Sequence, residues 1–195
     1  MSDIILAGVG GQGTVMASRL IASCAIASGR PAHTAETIGM AQRGGSVVSH
    51  VRIGGESFST LIPYKKADVI IGFEPSEAVR ALAYLKENGT VIVNSAAVKP
   101  VTDSLSESSY SSEDMINYLK TLPIKLYVIN GALQAEKCGS AKALNIVLLG
   151  AAAHLGVLGI SVEELREALK ASVKPQYLDM NMNAVECGIK SAMQA

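Results

Sequence analysis

The chain has no tryptophan, and Phe and Tyr together make up only 4% of its 195 residues. Stacking platforms for unpaired bases and rings to sandwich a flavin are therefore poorly supplied. Net charge is absent too, because 17 basic residues are matched by 17 acidic ones. A phosphate backbone is gripped by a basic surface, so nucleic acid is excluded as an expected partner. Cysteine is scarce. Cys24, Cys138 and Cys187 are widely spaced and odd in number, which fits a reducing compartment and not a disulfide framework. Three thiols cannot supply a conventional four-cysteine iron–sulfur cluster. No basic start followed by an apolar core precedes the first strand-like run, and the expected location is cytoplasmic. The longest apolar run, 143–160, is shorter than the ~20 residues a bilayer demands and is interrupted by Asn145, Gly150, His154, Gly156 and Gly159. It reads as a buried helix, and no membrane partner is expected.

Apolar residues, by contrast, account for 49% of the chain and charged residues for 17%. An average domain is ~25% charged, so apolar surface is left for a partner. The length suits a single domain over 1–195. Residues 4–7 form a continuous apolar run, as in a parallel strand covered on both faces. A glycine turn follows, then a helix over 14–28 closed by Gly29 and Pro31. Residues 32–37 read as a second strand. The alternation in 46–53, followed by Gly54 and Gly55, predicts a hairpin whose second arm is 57–61. A strand over 67–73 leads to Pro75 and a helix running toward Lys86, closed by Asn88 and Gly89. A strand over 90–94 completes a strand–helix–strand unit. The serine-rich segment 103–113 reads as loop. Residues 125–130 form a further strand, and helices are expected over 141–158, over 161–173, where Ser161 and Glu164 have capping-box spacing, and from 177 onward. That last helix, with its alternating Met and Asn, is expected to pack loosely or against another chain. The expected class is α/β, a Rossmann-like three-layer fold with a mostly parallel sheet and an inserted β-hairpin.

Gly8-Val9-Gly10-Gly11-Gln12-Gly13 satisfies G-x-G-x-x-G after a strand and before a helix. Missing side chains admit an anion to the backbone N–H groups, and the helix N-terminus adds unpaired donors. A dinucleotide or coenzyme A would satisfy these donors equally, and a tight structural turn would use the same glycines. Glu36 lies where an NAD-binding fold places its ribose-binding carboxylate. This motivates a second reading, a free-standing NAD(P)-dependent oxidoreductase. A scaffold whose glycine loop is only a turn is the third.

A second loop contains Gly39, Met40, Gln42, Arg43, Gly44 and Gly45, with Ser46 to Arg52 continuing it. The Arg43 guanidinium is a planar fork suited to a carboxylate or phosphate, and its flanking glycines allow close backbone approach. His50 and His154 read as packed structural histidines, and Cys24 as core. Cys138, beside Lys137, is a weaker candidate for a reactive thiol. No histidines and carboxylates have helical metal-ligand spacing, so no zinc site is expected.

G-x-G-G-Q-G followed by G-M-A-Q-R-G-G-S-V-V-S-H-V-R resembles the beta subunit of indolepyruvate:ferredoxin oxidoreductases, within the gamma-type domain family of 2-oxoacid:ferredoxin oxidoreductases. The resemblance runs the whole chain and is strongest over 4–94. It implies a subunit, inactive alone, of an enzyme that oxidatively decarboxylates aryl 2-oxo acids to acyl-coenzyme A. A gamma subunit acting on pyruvate or 2-oxoglutarate is the alternative. Thiamine diphosphate and iron–sulfur clusters would sit in a large partner subunit, through which ferredoxin is reduced. On this chain the resemblance implies coenzyme A near Gly8, Gly10, Gly11, Gln12 and Gly13. It assigns the second loop to substrate or subunit contact.

Overall fold

The computed structural model describes residues 1–37, 45–55, 59–98 and 111–195. Among the described residues six strands form one sheet in the order β2-β3-β1-β4-β5-β6. They are β1 (Ser2–Val9), β2 (Ala32–Thr37), β3 (Ser46–Ile53), β4 (Ala67–Gly72), β5 (Leu85–Asn94) and β6 (Lys125–Ile129). β1, β4, β5 and β6 pair in parallel, whereas β3 runs antiparallel to both β1 and β2. Only β3 therefore runs against the other five. The central strands are buried on both faces. Ile4, Leu6, Val69, Ile71 and Ile92 look toward one core, and Ile5, Ala7, Ile70, Val91 and Val93 toward the other.

The first core is covered by α1 (Thr14–Ala27), α4 (Gly131–Lys137), α5 (Leu144–His154), α6 (Val162–Ser172) and α7 (Pro175–Ala192). The second is covered by α2 (Pro75–Ala81) and α3 (Ser112–Lys120). These are the three layers expected of an α/β unit. Every residue of α5 from Leu144 to Ala153 is buried, which explains a helix apolar on all sides. No described helix is long and apolar enough to cross a membrane. α6 starts on the capping box formed by Ser161 and Glu164.

Four local expectations are corrected. The antiparallel hairpin is β2–β3, not β3 with 57–61. β1 and β2 occupy both edges of β3, so no ladder position remains for a returning arm. Of that arm, 56–58 lie outside the described residues, and the chain at 59–62 is held instead by Arg52 Nη1 donating to the Ser59 carbonyl and Ile62 N–H donating to His50 Nδ1. Next, α2 stops at Ala81. After a 3-10 turn over Leu82–Tyr84 the chain is already strand at Leu85. Asn88 and Gly89 belong to a bulge within β5, where pairing jumps from Ala67–Leu85 to Val69–Thr90 and Asn88 takes φ 55.

The third correction concerns the serine-rich segment. Its part over 103–110 lies outside the described residues, but Ser111 caps α3 by accepting from Asp114 N–H at 3.2 Å. Glu113 and Asp114 favour that N-terminus, and Ile116 and Leu119 fix the buried face. Finally, α7 packs closely on α5. A Cβ on Gly188 would sit 2.1 Å from the Val147 carbonyl oxygen, and one on Gly150 would sit 2.6 Å from that of Val185. The two glycines let the backbones touch, so the Met- and Asn-rich helix is part of the core and not a loose appendage.

Candidate functional site

The strand order reverses at β1. α1 carries the chain outward to β2, whereas α2 connects β4 to β5 on the other side. In open α/β sheets the crevice outside the carboxyl ends of the strands at such a reversal is where ligands bind. The glycine loop lies there. Gly11 and Gly13 have φ 100 and 79, left-handed conformations that favour glycine. Gly13 is the N-cap of α1 and offers no side chain to the helix terminus. Ala17 N–H is the first donor to a helical carbonyl, that of Gly13, and the N–H groups of Gly11, Gly13, Thr14, Val15 and Met16 find no acceptor among the described residues. Five backbone donors are thus left without partners in the glycine loop and the first turn of α1, the kind of groups that receive a phosphate or diphosphate at a helix N-terminus.

The remaining loop residues build this shape. Gln12 spans the crevice wall, its Oε1 accepting from Val9 N–H at 2.8 Å and its Nε2 donating to the Phe73 carbonyl at 3.0 Å. Its side chain braces the loop against β4. A Cβ on Gly8 would meet Gln12 Oε1 at 2.8 Å, with Phe73 Cβ and Thr14 Cγ2 each at 3.0 Å, so Gly8 serves packing. Gly10 N–H donates to the Gly45 carbonyl at 2.8 Å. This bond joins the glycine loop to the second loop. Of that loop, Gly39, Met40, Gln42, Arg43 and Gly44 lie outside the described residues, and Gly45 alone is placed.

Two asparagines that sequence reasoning missed complete the edge. Asn94, 1% exposed at the end of β5, donates from Nδ2 to the carbonyls of Phe73 and Ala96, each at 3.1 Å. Its Oδ1 accepts from Gly131 N–H at 3.1 Å and Ala132 N–H at 3.3 Å, hanging the first turn of α4 on the sheet. Asn145, 3% exposed in the first turn of α5, accepts from Ile146 N–H at 2.9 Å through Oδ1. Its Nδ2 has no acceptor among the described residues and lies against Gly13, 2.8 Å from where a Cβ would stand. An amide donor therefore joins the unpaired backbone donors. The sequence shows Asn145 only as a break in an apolar run, and that polar break was the available signal.

The carboxylates nearby are already engaged. Glu74 caps α2 by accepting from Ser76 N–H at 2.8 Å and Glu77 N–H at 3.1 Å, and Glu77 accepts from Ser46 Oγ and from Arg80. Glu36 accepts from Ser18 Oγ at 3.2 Å and lies 3.6 Å from Arg19 Nε. β3 separates its strand from β1, so the ribose carboxylate beside the glycine loop that motivated the NAD reading is not where that reading requires it.

Other sequence candidates fall away from this crevice. His50 is buried, accepts from Ile62 N–H at 3.2 Å and meets Tyr84 edge-on at 5.3 Å, and burial lowers its pKa. This is a structural histidine. His154, expected to be packed, is exposed at the end of α5. Cys24 is buried, with its pKa pushed up to about 11 by burial. Cys138 is not activated by Lys137. Burial and a hydrogen bond with Cys187 raise its pKa to about 11.

The family model for pyruvate ferredoxin/flavodoxin oxidoreductase matches residues 3–191. The chain belongs to this family. Indolepyruvate oxidoreductase subunit IorB of Thermococcus kodakarensis is 34% identical over 194 residues, covering 98% of this chain and 96% of the relative. Among solved structures, the gamma subunit of a keto/oxoacid ferredoxin oxidoreductase from Geobacter sulfurreducens superposes with a TM-score of 0.74 at 24% identity, covering 100% of both chains. The 2-oxoglutarate:ferredoxin oxidoreductase of Magnetococcus marinus, solved with 2-oxoglutarate, coenzyme A and succinyl-CoA, gives a TM-score of 0.73 at 22% identity. That match covers 100% of this chain and 31% of the larger one. The last two share the α/β fold described above. The same fold thus occurs both as a separate subunit and within a longer chain.

Proposed function

We propose that this chain is the smaller subunit of an indolepyruvate (aryl 2-oxo acid):ferredoxin oxidoreductase, working with a large partner subunit that holds thiamine diphosphate and the iron–sulfur clusters. The observation that carries this reading is the end-to-end likeness to an indolepyruvate oxidoreductase subunit. Three cysteines cannot ligate a four-cysteine cluster, and the sequence lacks a thiamine diphosphate signature, so the redox cofactors belong to the partner. The residues 1–195 act as one unit, in the cytoplasm, passing electrons to ferredoxin only through that partner.

This chain's own contribution is to hold coenzyme A. The diphosphate fits the donors of Gly11, Gly13, Thr14, Val15 and Met16, with Asn145 Nδ2 alongside. Coenzyme A supplies the thiol that takes the acyl group, and thiamine diphosphate supplies the carbanion chemistry. Gln12 and Gly8 keep the loop in shape, and Gly10 fixes the second loop beside it through Gly45. Gly39, Met40, Gln42, Arg43 and Gly44 are assigned to contact with substrate or with the partner, where the Arg43 fork suits a 2-oxo acid carboxylate or a partner's acidic side chain.

Coexpression with a large cluster-bearing subunit tests the reading. The expected result is a brown complex that reduces ferredoxin with indolepyruvate and coenzyme A, while the small chain alone is inactive. Activity of the isolated chain on any 2-oxo acid overturns the division of labour. A complex that prefers pyruvate or 2-oxoglutarate overturns the substrate assignment alone.

A further inference from the structure

Two of the three thiols, 49 residues apart in sequence, meet in space. Cys138 closes the C-terminal end of α4, and Cys187 projects from the C-terminal half of α7 with its Sγ 2.8 Å from Cys138 Sγ. Both are half-buried free thiols, and both are held by hydrogen-bonded helical backbone. Cys138 N–H donates to the carbonyls of Gln134 and Ala135, and Cys187 sits within a continuous helix. The pairing is across elements, not between turns of one helix, and a disulfide bond of ~2.05 Å needs the sulfurs to close by less than about 1 Å. Cys24 lies fully buried in α1, outside this pair.

We propose that Cys138 and Cys187 form a dithiol modification site that a two-electron oxidant of the peroxide class converts to an intramolecular disulfide. One sulfur, as thiolate, attacks a peroxide oxygen. The O–O bond breaks, hydroxide leaves and takes up a proton to become water, and a sulfenic acid remains. The second sulfur attacks the sulfenic sulfur, the S–S bond forms, the S–O bond breaks, and water departs with the second thiol's proton. Two thiols are oxidised and one hydrogen peroxide is reduced to two waters. Burial and the hydrogen bond with Cys187 keep Cys138 protonated near neutrality, so closure accelerates as pH rises. The disulfide staples α4 to α7. Since the first turn of α4 hangs on Asn94, which donates to the same Phe73 carbonyl as Gln12 of the glycine loop, the staple holds the far end of an element tied to that loop.

The test is peroxide treatment of the purified full chain, then alkylation and non-reducing peptide mass spectrometry. The expected outcome is a linked pair of peptides containing Cys138 and Cys187, two hydrogens lighter than their sum, with Cys24 still alkylated only after unfolding. Thermal melting should rise by roughly 5–15 °C because the loop closed is long, and a dithiol reductant should reverse the shift. C138S and C187S should each abolish the linked pair and the shift. Recovery of Cys138 and Cys187 as separate sulfinic acids, or a disulfide between chains or to Cys24, overturns the proposal. So does a linked pair without any reductant-sensitive change in melting.

Discussion

Asn145→Ala separates a ligand-holding role from a structural one. Among the described residues the side chain makes one hydrogen bond, from Ile146 N–H to Oδ1 at 2.9 Å, a local contact in the first turn of α5. Losing it costs about 0.5–1.5 kcal/mol, and alanine's better helix propensity returns roughly half of that. The net change is about 1 kcal/mol or less, a melting shift of at most about 2–4 °C in a chain of this size. The Nδ2 group contributes nothing to that sum, since it has no acceptor among the described residues and rests against Gly13. If it donates to a diphosphate oxygen, its removal costs about 1.5–3 kcal/mol of binding, or roughly 10- to 150-fold in Kd. Titration calorimetry with coenzyme A on the coexpressed complex, beside thermal melting of the same variant, reads both quantities. Coenzyme A affinity within about twofold of wild type would refute the assignment. A fall in melting of more than about 10 °C would make Asn145 a structural residue.

Two further perturbations follow from the packing and from the charges. Gly188→Ala places a methyl 2.1 Å from the Val147 carbonyl oxygen and 2.8 Å from Ala151 nitrogen, backbone atoms that cannot swing aside. The cost is expected at about 3 kcal/mol or more, a melting drop of roughly 6–12 °C, and a drop under about 2 °C would show that α5 and α7 part easily. At Glu164, hydrogen bonds from Ser28 Oγ and Ser161 N–H, with Arg30 close by, hold the pKa down at about 2 from an ordinary 4.5. A depressed carboxyl stabilises the fold above the unfolded pKa, and the contribution is lost as pH falls from about 4.5 toward 2. With the side chain 28% exposed, solvent screening leaves about 1 kcal/mol. Glu164→Gln should lower stability near neutrality and flatten the acid limb of a denaturant titration below pH 4.5. An unchanged acid limb would contradict the linkage.

The chemistry-bearing loop and most elements were legible because they rest on local rules. A continuous apolar run specifies β1, Gly8 to Gly13 specify the turn, and Ser161 with Glu164 specifies the start of α6. Short elements were not legible for an equally local reason. α3 begins inside a serine-rich segment, and Asn88-Gly89 carries the same turn signal whether it ends a helix or bulges a strand. Local signals identify a backbone bend but not the element it interrupts.

Residue pattern alone was enough for the α/β class, the glycine loop at the head of a helix and the family to which these motifs point. Strand order was decided only in three dimensions. β3 inserts antiparallel between β1 and β2, which removes the ladder edge expected for 57–61 and moves Glu36 two strands away from the glycine loop. The meeting of Asn145 with Gly13, of Asn94 with α4, and of Cys138 with Cys187 was likewise set by packing. Each joins residues at least 37 positions apart, and nothing in their neighbouring residues encodes the contact. The physical reason is one of range: turns and helix caps are satisfied within a few residues, whereas sheet order and helix docking are chosen by the burial of whole faces against one another.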